Sequence, residues 1–120
     1  MFDLTKNMIV VNRGDSFQIS LFINSGTELS PTQYTLRNDD TVYLGVFEPR
    51  EPFENSLIRK VYTKDNLSSE GNLIIKFDVG DTLNLLPGTY YYEIKLSRKD
   101  ENNKEVVDTI IQRQKFVIVD

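Results

Sequence analysis

The segment Asp81–Leu96, DTLNLLPGTYYYEIKL, is the most informative part of the sequence because it combines a short polar turn, a Pro-Gly break and a strand with two different faces. Successive side chains of a strand point to opposite faces, so alternate positions can be sorted. One face is apolar and the other is mixed: Tyr90, Tyr92, Ile94 and Leu96 against Tyr91, Glu93 and Lys95. This pattern predicts a half-buried strand whose apolar face lies against the core.

The turn before this strand is also predicted. Asp81-Thr82 can cap one helical turn that ends at Leu86, and Pro87-Gly88 then redirects the chain into the strand. In two-sheet sandwiches of the immunoglobulin type, a tyrosine at this corner bonds its hydroxyl back to the main chain. Tyr90 is the candidate for that bond. The alternative is that Tyr90 is a large core side chain whose hydroxyl stays in water.

The rest of the chain holds further strand patterns separated by turn signals at short intervals. The predicted strands are Met8–Val11 at an edge, Ser16–Ile23, Thr41–Glu48 in a central position, Ser56–Thr63, Asn72–Val79, and Glu105–Val119 with a bulge near Gln112. The longest connection, Asn24–Asp40, can hold a short extended piece at Gln33–Leu36. With about seven strands and no amphipathic helix, the sequence predicts an all-β protein, an immunoglobulin-like two-sheet antiparallel β-sandwich. We expect residues 1–120 to form a single domain.

The triplet Arg13-Gly14-Asp15 allows two interpretations. It matches a short integrin-binding motif, but a match of only three residues often occurs by chance. It also lies where a turn must join the first two strands. Gly14 would then supply backbone freedom and Asp15 would bond a nearby N–H, and we favour this turn.

Composition removes most enzyme classes. The chain has no cysteine and no histidine, which excludes disulfides, thiolate catalysis and the commonest general base. Its paired carboxylates lie in predicted loops, with no matched group placed opposite them. A calcium site at Asp39-Asp40 lacks the regular spacing of acidic ligands, so a turn is favoured there. We therefore predict no enzyme, no cofactor and no metal site.

The charge and hydropathy of the chain argue against two classes of partner, nucleic acids and membranes. Fourteen Lys and Arg residues against 18 Asp and Glu residues give a formal net charge of −4, which argues against nucleic acid. No apolar run is long enough to cross a bilayer, and Met1–Val11 lacks the features of a signal peptide. We expect synthesis in the cytoplasm and no membrane partner.

Three segments together resemble a known family. They are RGDS at Arg13–Ser16 followed by alternating Phe17, Ile19 and Leu21, VYLGVFEP at Val42–Pro49, and LLPGTYYYEIKL at Leu85–Leu96 followed by Asp108-Thr109. The chain resembles the amino-terminal domain of the baseplate upper protein family of phages and prophages of Gram-positive bacteria. This resemblance implies a non-enzymatic structural protein of the virion, made in the bacterial cytoplasm. It implies docking onto other virion proteins, with the position in baseplate, tail or head left open.

Such a role requires contact surfaces, and a homo-oligomer is expected because virions are symmetric. The candidates are apolar side chains predicted to point outward: Met8, Val10, Phe22, Tyr91, Val117 and Val119. The predicted structural residues are the turn and corner positions Gly14, Asp15, Pro87, Gly88 and Tyr90. The alternative function is a carbohydrate-binding or adhesin-like module that contacts the host surface. In that case Tyr91, Tyr34 and Tyr43 would stack on sugar rings.

Overall fold

The computed structural model describes residues 8–26 and 31–120. Across these residues nine strands, one α-helix and two 3-10 turns are present. The strands are β1 (Ile9–Asn12), β2 (Phe17–Leu21), β3 (Asn24–Gly26), β4 (Pro31–Gln33), β5 (Thr41–Phe47), β6 (Ile58–Tyr62), β7 (Leu73–Phe77), β8 (Gly88–Lys99) and β9 (Glu105–Val119). The helix α1 spans Val79–Leu83, and the 3-10 turns are Phe53–Asn55 and Lys64–Asn66.

The strands form one five-stranded sheet in the order β1-β9-β8-β5-β6, a pair β2-β7 and a short hairpin β3-β4. The prediction of an all-β protein with two sheets is therefore confirmed. The prediction of a wholly antiparallel arrangement is wrong at one place, because β1 runs parallel to β9. A strand's apolar alternation fixes the face that it buries and carries no information on the direction of its neighbour.

The Asn24–Asp40 connection also differs from the prediction. It contributes the paired three-residue strands β3 and β4, which bring the count within the described residues to nine rather than about seven. The short extended piece predicted at Gln33–Leu36 lies earlier in the chain, since β4 spans Pro31–Gln33. Beyond it, the Tyr34 N–H donates to the Ile23 carbonyl oxygen at 2.6 Å, which extends the β3-β4 pairing by one hydrogen bond.

The core lies between the β2-β7 pair and the five-stranded sheet. The rings of Phe17 and Phe77 stack at 4.5 Å between centroids, and Phe77 lies 5.7 Å from Phe116 of β9. The Tyr92 ring of β8 meets Phe116 edge-on at 6.4 Å. The apolar face predicted for β8 is buried as expected: Tyr90, Tyr92, Ile94 and Leu96. The two sheets are therefore joined by an aromatic cluster at the centre of the core.

The helical turn begins earlier than predicted. Its N-cap is Asp78, whose N–H donates to Asp81 Oδ2 at 2.7 Å, while the Asp81 N–H donates to the Asp78 carbonyl oxygen at 3.0 Å. This reciprocal pairing over three residues ends β7 at Phe77 and starts the helix. Thr82, predicted as a cap, is instead fully buried, and its Oγ1 accepts a hydrogen bond from the Gly14 N–H at 2.9 Å.

The turn at Gly14 has the predicted backbone freedom, with φ at +83°. Asp15 closes the turn through its main chain, because its N–H donates to the Asn12 carbonyl oxygen at 3.0 Å. The expected bond from the Asp15 carboxylate is therefore not what closes the turn. Arg13 forms an ion pair with Asp120 at 2.9 Å. The triplet forms a turn after β1, in keeping with the turn interpretation.

At the corner before β8, Tyr90 makes the predicted hydrogen bond to the main chain; its hydroxyl is not left in water. The Tyr90 hydroxyl donates to the Leu86 carbonyl oxygen at 2.7 Å, and the Tyr90 side chain is buried. Between them Gly88, with φ at +154°, turns the chain and begins β8 directly after Pro87. Burial, and then the charge of Glu48, raises the pKa of Tyr90. The bond fixes the loop between α1 and β8 onto the strand that follows it.

Replacing Tyr90 by phenylalanine tests this corner. The Leu86 carbonyl then loses its donor, so we expect the free energy of unfolding to fall by about 1–1.5 kcal/mol in urea titrations. Tyr43→Phe is the control, because Tyr43 lies in the neighbouring strand β5 with 38% of its surface exposed. We expect that control to stay within about 0.5 kcal/mol of the parent. Equal losses in both variants would mean that the corner bond adds nothing.

Candidate interaction surface

The outer face of the five-stranded sheet, the face that points away from β2-β7, carries most of the predicted contact residues. In β9 the side chains of Phe116 and Ile118 are buried in the core, so their neighbours Val117 and Val119 point outward. The parallel register pairs Val10 with Val117 and therefore places Val10 on the same outer face. Strand β1 is an edge of the sheet, as predicted for this segment.

Four of the six predicted residues come together here. Met8 is 55% exposed, Val10 53% and Val119 37%, while Val117 is half-buried between its neighbours. We call this group, Met8, Val10, Val117 and Val119, the edge patch. Single exposed apolar residues are ordinary, but neighbouring ones at a sheet edge are typical of a contact surface.

The other two predicted residues lie elsewhere. Phe22 follows β2 on the opposite sheet and is 42% exposed. Tyr91 is on the outer face, but the Arg113 guanidinium lies over its ring at 4.9 Å from the centroid. The same guanidinium lies 4.9 Å from the centroid of Phe47, which is opposite Tyr91 in β5. Tyr91 is therefore covered by its own chain on that side.

The three tyrosines proposed for sugar stacking do not form one platform. The Tyr34 hydroxyl donates to Asp40 Oδ2 at 2.5 Å, and burial followed by this hydrogen bond raises the pKa of Tyr34. Tyr43 is opposite Lys95 of β8. Tyr91 comes four residues before Lys95 on the same face of β8 and lies beneath Arg113. The geometry thus gives no specific support to the carbohydrate alternative.

The acidic pair considered for calcium has a structural role. Asp40 is 1% exposed and accepts a hydrogen bond from the Arg37 N–H at 2.9 Å, while the Asp40 N–H donates to the Arg37 carbonyl oxygen at 3.1 Å. Asp39 is exposed at the tip of this turn. In the part of the chain that the structure describes, no group of three acidic side chains is placed to hold a metal ion.

Sequence reasoning missed a set of cations that extends across the outer face from β6 to β9. The predicted bulge is present, with Gln112-Arg113 inserted opposite Glu93, and it sends Arg113 across Tyr91 and Phe47 to donate to the Pro49 carbonyl oxygen. Lys115 is in register with Tyr91, and Lys95 Nζ lies 4.7 Å from the centre of the Phe53 ring. We call Arg59, Lys95, Arg113 and Lys115 the cationic face.

The loop before β6 completes this surface. Phe53 packs directly onto Gly45, where an added Cβ would lie 2.8 Å from Phe53 Cε2. Arg59 donates from Nε to the Ser56 carbonyl oxygen at 3.2 Å and from Nη2 to that of Glu54. The only sequence signal for this arrangement was the loop itself, which contains Pro49, Pro52 and a single aromatic residue, Phe53. Beside Phe53 lies a cavity of about 330 Å³, lined by Tyr43, Leu44, Gly45, Phe53, Glu54, Ser56, Arg59, Lys60 and Val61.

Comparisons with known proteins add no identity. No family model matches the chain, and no curated protein sequence matches it. Within residues 8–26 and 31–120, no helix has the length and apolar character needed to span a membrane.

Proposed function

We propose that the chain is a non-enzymatic structural protein of a phage or prophage virion. It docks onto neighbouring subunits of the tail or baseplate and acts there as an assembly module. The observation that carries this proposal is the edge patch, an apolar group on an edge strand of the larger sheet. The sequence resemblance to baseplate upper proteins gives the particle in which such docking would take place.

We further propose that the fold is immunoglobulin-like. In that fold the second and fifth strands pair in one sheet, and the sixth strand lies between the third and the seventh in the other. Here β2 pairs with β7, and β8 lies between β5 and β9, which supports the same connectivity. The bond from Tyr90 to Leu86 supports it further, because a tyrosine corner precedes the sixth strand of such domains.

The edge patch suits docking for two physical reasons. Among the described residues β1 pairs only with β9, so its outer edge can accept a strand from a neighbouring subunit. The apolar side chains beside that edge lose contact with water when such a neighbour covers them. Main-chain pairing and apolar burial would thus act at the same place, and repetition of this contact builds a symmetric assembly.

Mass spectrometry of purified phage particles from an induced culture of the source organism tests the function. We expect the chain in intact particles, at a fixed ratio to the major tail protein. The ratio would indicate its symmetry and position. Absence from intact particles would contradict the proposal and direct the search to host-surface glycans.

Val10→Lys tests the edge patch itself. A lysine at this position places a charge in the proposed contact, so we expect the variant to be lost from assembled particles while the isolated protein melts like the parent. Val107→Lys is the matched control, since Val10 and Val107 are 53% and 54% exposed strand valines. Incorporation of the Val10 variant at the control's level would place the contact elsewhere on the chain.

A further inference from the structure

The cationic face has the opposite sign to the chain as a whole. It sets four cations around a single strand carboxylate, Glu93, whereas the formal net charge of the chain is −4. Within the described residues the ion pairs are Arg13–Asp120, Arg37–Asp40, Lys60–Asp81 and Arg98–Asp108. None of them includes a member of the cationic face. This surface therefore has a net positive charge, which is complementary to an acidic partner.

Three of the four cations, Arg59, Lys95 and Arg113, are held in place by groups that carry no net charge. Arg113 lies over two aromatic rings and Lys95 over a third, and Arg59 is fixed by two carbonyl oxygens. Aromatic faces and carbonyl oxygens attract a cation but carry no net charge. Side chains already ordered in this way lose less conformational entropy when a carboxylate binds them.

An apolar site lies beside these charges. The cavity next to Phe53 has a volume of about 330 Å³, with Tyr43 38% exposed and Val61 59% exposed at its walls. Glu54 contributes one carboxylate to the lining. A cavity of this character accepts an apolar side chain, which a polypeptide carries and a sulfated or phosphorylated polymer does not.

We propose that the cationic face and this cavity together dock a carboxylate-rich segment of a partner protein, with one apolar side chain of that segment in the cavity. A second copy of this chain is not the occupant through the same face, because two surfaces of net positive charge would then meet across the interface. The cationic face adjoins the edge patch on the outer face of the sheet, but it consists of different residues, and the inference holds independently of the virion role.

Fluorescence anisotropy with labelled synthetic peptides tests the proposal on purified protein. The first peptide has glutamates on both sides of one leucine, the second replaces the glutamates by glutamine, and the third replaces the leucine by alanine. We expect saturable binding of the first peptide that weakens as salt is added. Each of the other two should bind about tenfold more weakly, because one lacks charge and the other lacks the apolar anchor.

A pair of matched variants localises the binding. Lys95→Glu with Lys115→Glu should lose at least about tenfold in affinity for the acidic peptide, whereas Lys64→Glu with Lys76→Glu should bind like the parent. Both pairs change the net charge equally, and Lys64 and Lys76 lie outside the cationic face. Thermal melting confirms that each variant is folded, and Lys95→Gln with Lys115→Gln replaces the first pair if it is not.

Three results would overturn the inference. Equal losses in both variant pairs would show that only overall charge matters, and absence of saturable binding would remove the site. Dextran sulfate binding as tightly as the leucine peptide would show a general polyanion surface rather than a protein docking site. Because the peptides are synthetic, each of these results leaves the virion proposal standing, and absence from virions leaves this inference intact.

Discussion

Phe116→Ala is expected to lower the free energy of unfolding by about 3–5 kcal/mol in urea titrations followed by circular dichroism. Phe116 is fully buried in β9, and its ring lies 6.4 Å from Phe17, 5.7 Å from Phe77 and 6.4 Å from Tyr92. It thus touches both sheets at their junction. Truncation removes these contacts and leaves a cavity that the two sheets can close only in part.

Phe22→Ala is the control for this prediction. It removes the same atoms from a side chain that is 42% exposed, so we expect a change within about 1 kcal/mol. Phe116→Leu keeps most of the apolar volume and should fall between the two. A loss below about 1.5 kcal/mol in Phe116→Ala would show that the sheets are not joined through this ring.

The sequence was sufficient to predict which residues of β8 face the core. The alternation in β8 separates Tyr92 and Ile94 from Tyr91 and Lys95, and the structure buries the first pair. The edge patch follows from the same reasoning applied to the last strand, because Phe116 and Ile118 are buried and Val119 is exposed. A two-residue period is enough for such predictions, since it decides the face directly.

What the sequence could not predict depends on contacts between distant segments. The parallel pairing of β1 with β9 joins the two ends of the chain, and nothing in either strand encodes its partner. The cover of Arg113 over Tyr91 depends on how far the bulge redirects the chain, and the packing of Phe53 on Gly45 depends on where a loop folds back. Because of these long-range contacts, Arg113 covers Tyr91, which the sequence predicted to be exposed. The same contacts bring the residues of the cationic face together.

Stability is expected to fall steeply in alkali, with Tyr92 making the largest single contribution. Burial raises the pKa of Tyr92 from 10.0 to about 12, and its side chain is 1% exposed. The unfolded chain therefore loses this proton at a lower pH than the folded chain does. The stabilisation is complete below about pH 10 and disappears as pH rises to about 12, which corresponds to about 2–3 kcal/mol. Tyr34, Tyr62 and Tyr90 also have raised pKa values, so their contributions have the same sign.

Urea titrations at pH 8 and at about pH 11 measure this effect, and Tyr92→Phe separates the contribution of one residue from the rest. Phenylalanine has no proton to lose, so the fall in unfolding free energy between the two pH values should be smaller in this variant than in the parent. Tyr43→Phe, which removes an exposed hydroxyl from the same sheet, should keep the parent's fall. An unchanged fall in Tyr92→Phe would mean that the Tyr92 hydroxyl is ionised as easily in the folded protein as in the unfolded chain. The alkaline transition would then have to come from other titrating groups, among them Tyr34, Tyr62 and Tyr90.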